Sequence, residues 1–148
     1  MKTVYRVLAF AIAATVAIQA GAIGYAVFAQ LHWIESGGTF DEAAFESGAP
    51  GTGAFIFHAL FGGVVLLVAL ALLIISFFAK IPRGVRWAVI VLVTTVVQIA
   101  LGTLSRLVSQ IGAVHGAVAL VLFGVAVMAA MRARKPAVVE EPVPATVA

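Results

Sequence analysis

Residues 54–79, AFIFHALFGGVVLLVALALLIISFFA, form an apolar run in which His58 is the only ionisable side chain. At about 1.5 Å of rise per residue, a helix of this length crosses a hydrocarbon layer about 30 Å thick. Three further runs, at 7–29, 85–104 and 112–131, are also apolar and nearly free of charge. The sequence therefore predicts an all-α protein whose four transmembrane helices form an up-down bundle within residues 1–135.

Composition supports a membrane protein. Hydrophobic residues make up 64% of the 148-residue chain and charged residues only 10%, against about 25% charged in soluble domains, so an ordinary water-soluble fold is excluded. There is no cysteine, which excludes disulfides, thiolate metal sites and iron–sulfur clusters. The net charge of +3 comes from basic residues that flank the apolar runs, and this pattern indicates membrane topology rather than nucleic-acid binding.

The basic residues also predict an orientation. If the chain alternates sides, only Arg106 falls on one side of the membrane, and the other eight share the opposite side: Lys2, Arg6, Lys80, Arg83, Arg86, Arg132, Arg134 and Lys135. Positive residues concentrate on the cytoplasmic side. We therefore expect both termini to be cytoplasmic, in a bacterial cytoplasmic membrane.

Two segments lie outside the predicted helices. The long outer link, residues 30–53, contains Thr39-Phe40-Asp41-Glu42, which has the spacing of a capping box and predicts a short interfacial helix. Residues 136–148 are rich in Pro, Val, Ala and Glu and are predicted to be a disordered cytoplasmic tail. As an alternative for the first run, Val27-Phe28-Ala29 resembles the cleavage site of a signal peptide.

Two histidines, His58 and His115, lie within the second and fourth runs, and ionisable residues inside a membrane are candidates for function. Counted from the basic residues, both belong to the outer part of the membrane. The second and fourth helices of an up-down bundle occupy diagonal corners, so two inward imidazoles would face each other across the core. That arrangement suits axial ligation of one haem; the alternative is a pair of neutral, hydrogen-bonded structural histidines.

Other polar or small residues accompany the histidines. Gly62 and Gly116 leave room beside the two rings for a flat macrocycle, or they serve ordinary helix packing. Gln19 and Gln98, at a common depth on the other two helices, either bond each other, orient a histidine, or join helices. Candidate partners of Arg106 are a haem propionate, a lipid phosphate and a carboxylate of the outer link.

His32 stands apart from these candidates. It lies beside Trp33 at the expected water boundary. We therefore expect it to be an exposed loop residue rather than part of the site.

Three short motifs carry a family resemblance: Phe57-His58-Ala59-Leu60-Phe61-Gly62, Val97-Gln98-Ile99-Ala100-Leu101-Gly102 and Val114-His115-Gly116. With them, the chain from Val4 to Arg134 resembles a family of small, uncharacterised four-helix membrane proteins of actinobacteria. It also resembles one half of a haem A synthase, in which each four-helix half carries a histidine on its second and fourth helices.

The resemblance implies that His58 and His115 are axial ligands of a b-type haem, in a protein for electron transfer or haem handling. One departure is informative. The substrate-haem half of a haem A synthase has a glutamate three residues before its first histidine, whereas this chain has Phe55. The chain thus looks more like the cofactor-holding half.

A second function class stays open from the sequence. The chain contains no nucleophile paired with a base, no metal-protease motif and no phosphate-binding glycine loop. A cofactor-free membrane subunit or scaffold, packing against a larger complex or a second copy, is the alternative to a haem protein. The expected partners are the lipid bilayer and either a redox protein or such a complex.

Overall fold

The computed structural model describes residues 1–133, and the predicted tail lies outside this part of the chain. Within these residues the fold is all-α, with five helices and no strand. The helices are α1 (Lys2–Glu35), α2 (Glu42–Glu46), α3 (Thr52–Phe78), α4 (Gly84–Leu104) and α5 (Ile111–Arg132).

Four of these helices, α1, α3, α4 and α5, are long and apolar enough to cross a membrane. They coincide with the four predicted runs, so the chain is a multi-pass membrane protein by helix length and composition. The helix α1 is longer than predicted: its 34 residues span about 51 Å, well beyond the apolar layer. The first residues of the predicted link, from Gln30 to Glu35, therefore continue α1, because polar residues extend a helix outside the apolar layer as readily as apolar ones.

Local hydrogen bonds end α1 and begin α2. Gly37, at φ +91°, takes a conformation that favours glycine, and the Trp33 indole nitrogen donates to the Thr39 carbonyl at 3.1 Å. The cap of α2 is Asp41, whose carboxylate accepts from the Ala44 backbone nitrogen at 2.8 Å. The predicted cap at Thr39 was thus wrong by two residues, because the carboxylate of Asp41 reaches the first turn of the helix.

The long helices pack as a ring in which α1 and α4 each contact both α3 and α5. The pairs α1–α4 and α3–α5 are therefore diagonal. One direct bond crosses the first diagonal, since the buried Tyr5 hydroxyl donates to the Gly84 carbonyl at 3.0 Å. We call this the basic end of the molecule, because it carries Tyr5, the link 79–83 and Arg132; the opposite end, with His58 and His115, is the histidine end.

The tightly packed core lies toward the basic end. Small side chains dominate it, as expected where membrane helices approach closely. Its fully buried alanines are Ala9, Ala69, Ala88, Ala126, Ala129 and Ala130, with Ile12, Leu72, Val91 and Leu122 between them. Large apolar side chains such as Leu67, Phe77 and Leu120 instead face outward, as a lipid environment favours. The histidine end contains few fully buried side chains, and its centre is polar.

Candidate functional site

The imidazole rings of His58 and His115 meet at the histidine end. Their centroids lie 5.9 Å apart, with the ring planes at 74° to each other. Because α3 and α5 are diagonal, the two side chains reach toward one another from helices that are not neighbours. Both residues are half-buried.

Gln19 holds His58 from the neighbouring helix α1. With the amide nitrogen facing α3, that nitrogen lies 2.8 Å from the His58 carbonyl oxygen and 3.0 Å from His58 Nδ1, and the amide oxygen accepts from the Gly62 backbone nitrogen at 3.3 Å. The reverse orientation would set the oxygen against two acceptors, so we adopt this one. Since Nδ1 accepts a hydrogen bond, the proton of the neutral His58 ring is on Nε2.

Gln98 holds His115 from α4 in a similar way. Its side-chain nitrogen donates to the His115 carbonyl oxygen at 2.9 Å and lies 3.3 Å from His115 Nε2. In return, His115 Nδ1 lies 3.0 Å from the backbone carbonyl oxygen of Gln98. A carbonyl only accepts and an amide nitrogen only donates, so the His115 proton is on Nδ1 and the lone pair is on Nε2.

The two glutamines therefore form a repeated clamp. In each, one amide nitrogen sits between the backbone carbonyl and a ring nitrogen of one histidine, across the pairs α1–α3 and α4–α5. Gln19 and Gln98 do not bond each other; each joins two helices and orients one histidine. The side-chain oxygen of Gln98 is buried and has no hydrogen-bond partner within residues 1–133.

Glycines near the histidines differ in what they do. A Cβ at Gly102 would lie 3.0 Å from His115 Cε1, so the ring packs directly on the backbone of α4. This role was not predicted, although Gly102 follows Gln98 by one helical turn and thus shares its face. A Cβ at Gly62 or Gly116 would meet nothing within 4 Å, so open space lies beside both histidine-bearing helices.

The remaining candidates lie apart from the histidine pair. Arg106 is exposed in the link between α4 and α5. His32 is exposed as expected, but it lies in the last turn of α1 rather than in a loop, and its carbonyl accepts from the Ser36 hydroxyl at 2.8 Å. No hydrogen bond joins either side chain to His58 or His115 within the described part of the chain.

The donor set of the site is small. No group of three or more His, Cys, Asp or Glu side chains within residues 1–133 has a geometry able to hold a metal ion. The site offers two imidazoles, which suit a metal that brings most of its own ligands, as the iron of a macrocycle does. The chemistry that the arrangement supports is axial ligation or a neutral hydrogen-bonded network.

Part of the chain matches a known protein family. No curated protein and no solved structure matches the chain, so the resemblance to half of a haem A synthase stays a prediction. The family match that was found spans α2, α3 and α4 and thus includes His58 and Gln98, but not Gln19 or His115. Residues 39–104, less than half of the chain, match DUF6220, a family of unknown function, which agrees with the prediction of an uncharacterised family.

Proposed function

We propose that this chain is a membrane haem protein in which His58 and His115 are the axial ligands of one b-type haem. The approach of the two imidazoles across a diagonal is the observation that carries the proposal. Metal–imidazole bonds are about 2 Å long, so two axial imidazoles on one metal ion place their ring centres about 6 Å apart. The separation of 5.9 Å agrees with that value.

The hydrogen bonds of His115 suit a metal ligand. A ligating histidine usually donates its other ring N–H to a carbonyl or carboxylate, as His115 Nδ1 does to the Gln98 carbonyl. Within residues 1–133, its Nε2 lone pair is met only by the side-chain amide of Gln98, at a long 3.3 Å. The shorter bond of that amide nitrogen, 2.9 Å to the His115 carbonyl oxygen, can persist while Nε2 turns from the amide to a metal.

His58 requires a change of tautomer to act in the same way. Ligation through Nε2 moves the ring proton to Nδ1, which then needs an acceptor. Rotation of the Gln19 amide presents its oxygen to that proton, at the cost of its hydrogen bonds to the His58 carbonyl and the Gly62 backbone nitrogen. Gln19 is thus a positioning residue, because the orientation of its amide decides which nitrogen of His58 carries the proton.

A bound haem would supply one-electron redox chemistry. Two protein ligands on one iron leave no open position for oxygen or substrate, so electron transfer or haem handling is the function that fits. The two glutamine clamps would tune the basicity of the ligands and exclude alternative ring orientations.

The topology completes this proposal. We infer an up-down four-helix bundle in a bacterial cytoplasmic membrane, with both termini in the cytoplasm, because basic residues concentrate at one end. The histidine end then lies in the outer half of the membrane, and α2 lies at the outer interface. A redox partner would approach from that side.

Titration of haem into the full chain, purified in detergent, tests the proposed function. We expect a saturable Soret band that reaches its end point at about one haem per chain, because the fold contains one histidine pair. Haem that partitions without saturation, as it does into protein-free micelles, would contradict the proposal.

A second candidate is a cofactor-free subunit or scaffold. Both nitrogens of His115 are already hydrogen-bonded within the chain, so this ring needs no ligand to be satisfied. Gly112 and Gly116 have the spacing of a helix-association motif, and Gly116 is exposed. A stoichiometric partner or stable homo-oligomer that purifies without a chromophore would favour this function over haem binding.

A further inference from the structure

Three arginines converge at the basic end, far from the histidines. Arg83, Arg86 and Arg132 line a cavity of about 160 Å³, and Trp87 and Ile90 form its apolar wall. Arg83 is the N-cap residue of α4, Arg86 lies in the first turn of α4, and Arg132 lies in the last turn of α5. The cavity thus lies where the start of one long helix meets the end of another.

An aromatic contact holds one of these arginines in place. The Arg132 guanidinium carbon lies 5.5 Å from the centre of the Trp87 ring, within the range of a cation–π interaction. Arg83 has φ +58°, a left-handed conformation that Lys80 in the same link also adopts, so this angle belongs to the turn. A basic residue that serves only to orient a membrane protein does not need an aromatic partner such as Trp87.

The charge of the cavity is not balanced by the described part of the chain. The carboxylates of residues 1–133 are Glu35, Asp41, Glu42 and Glu46, and all of them belong to the end of α1 or to α2. No side chain caps the N-terminus of α4, so the partial positive charge of that helix end adds to the same region. An anion from outside these residues would relieve the repulsion among three guanidinium groups.

We propose that this cavity binds a phosphate group carried by an anionic phospholipid. Arginine forks match phosphate oxygens in geometry and charge, and several arginines together favour phosphate over a single carboxylate. The volume is several times the roughly 30 Å³ that one water occupies in the liquid. The wall formed by Trp87 and Ile90 suits the apolar part of a lipid, which distinguishes a lipid phosphate from a free one.

Lipid binding to the full chain tests this site. We expect native mass spectrometry of the detergent-solubilised protein to show one tightly held phosphatidylglycerol, and phosphatidylcholine to bind more weakly because its net charge is zero. Each arginine–phosphate hydrogen bond is charge-assisted, so the variant Arg86→Gln Arg132→Gln should bind phosphatidylglycerol about tenfold more weakly or worse.

A matched variant controls for charge alone. Arg6→Gln removes a positive charge from the first turns of α1, near the basic end, but Arg6 does not line the cavity. Its affinity for phosphatidylglycerol should stay within about twofold of the unmodified chain. The single variant Arg132→Gln removes the same charge from the cavity and should weaken binding several-fold. Equal weakening by Arg6→Gln and by Arg132→Gln would overturn the proposal, because the attraction would then be a general surface effect.

Competition with soluble phosphates tests whether the bound phosphate group belongs to a lipid. Inorganic phosphate and glycerol phosphate should displace phosphatidylglycerol only at concentrations far above that of the lipid, since they lack the acyl chains. If either soluble compound binds as tightly as the lipid, the lipid assignment is wrong and the cavity serves a soluble phosphate ester. Equal binding of phosphatidylcholine and phosphatidylglycerol would also contradict it.

Discussion

His58→Ala and His115→Ala are each expected to abolish the spectrum of a six-coordinate haem, and the double variant is expected to lose the Soret band. Each single variant removes one of the two iron ligands that the proposed site contains. Changes to residues that only support a ligand cost about 10- to 100-fold in metal affinity, so loss of a ligand itself should cost at least as much. Absorption spectra of variants purified in parallel, normalised to protein, measure the effect.

Two controls separate ligation from folding. His32→Ala removes an exposed histidine away from the pair and should leave the spectrum unchanged. Added imidazole should restore a six-coordinate spectrum to His115→Ala at concentrations too low to ligate haem in protein-free micelles, because a folded site supplies His58 and holds the haem in place. A double variant that retains the full Soret band would show that other groups hold the haem.

Gly51→Ala is expected to destabilise the fold by about 3 kcal/mol. Gly51 has φ +91°, where an alanine is strained by about 1–2 kcal/mol. Its new Cβ would also lie 2.6 Å from the Ala26 carbonyl oxygen, and backbone cannot move aside cheaply; overpacking of this kind typically costs about 1–3 kcal/mol. Unfolding of the purified chain in mixed detergent micelles, followed by circular dichroism, measures the change.

Substitutions at two neighbouring glycines separate the backbone strain from the steric clash. Gly48 has φ +79° but open space around a Cβ, so Gly48→Ala should show the backbone strain alone, about 1–2 kcal/mol. Gly53 lies in the first turn of α3, where a Cβ meets nothing within 4 Å, so Gly53→Ala should be neutral or slightly stabilising. Equal effects at all three positions would contradict the close approach of α1 and α3 at Gly51.

The long helices were predictable because lipid imposes a simple rule on sequence. A backbone that crosses hydrocarbon must satisfy its own hydrogen bonds, so each apolar run of sufficient length becomes a helix. The rule stops at the water boundary, which explains why the extension of α1 to Glu35 was missed. Beyond that boundary, local chemistry decides, as it does at Asp41, whose side chain caps α2 in place of Thr39.

The sequence singled out four polar side chains that meet at the histidine end, but not the contacts between them. His58 and His115 stand out because ionisable residues are rare in apolar runs, and Gln19 and Gln98 stand out for the same reason. The number of residues between each side chain and the membrane surface does not decide which glutamine faces which histidine, since that depends on the rotation of each helix about its axis. The pairing of Gln19 with His58 and of Gln98 with His115 is therefore seen in the three-dimensional structure and not in the sequence.

The arginine cavity was not predicted, because the distribution of basic residues along the sequence was already explained by membrane topology. Arg83, Arg86 and Arg132 fit the general excess of positive residues on one side of a membrane protein, which requires no particular side-chain geometry. Their convergence depends on the left-handed turn at Arg83 and on the stacking of Arg132 over Trp87. Neither feature has a signal in the sequence, because Arg83 is not a glycine and Trp87 is also expected in an aromatic belt.

The most direct measurement of the central claim is the absorption spectrum of the full chain, extracted from membranes of cells supplied with ample haem and recorded oxidised and reduced. Ligation by His58 and His115 predicts a Soret band together with the narrow visible bands of a reduced, six-coordinate b-type haem, at about one haem per chain. A pure, folded protein with no Soret absorption in either state would contradict the haem assignment and leave the histidine pair as a hydrogen-bonded structural network.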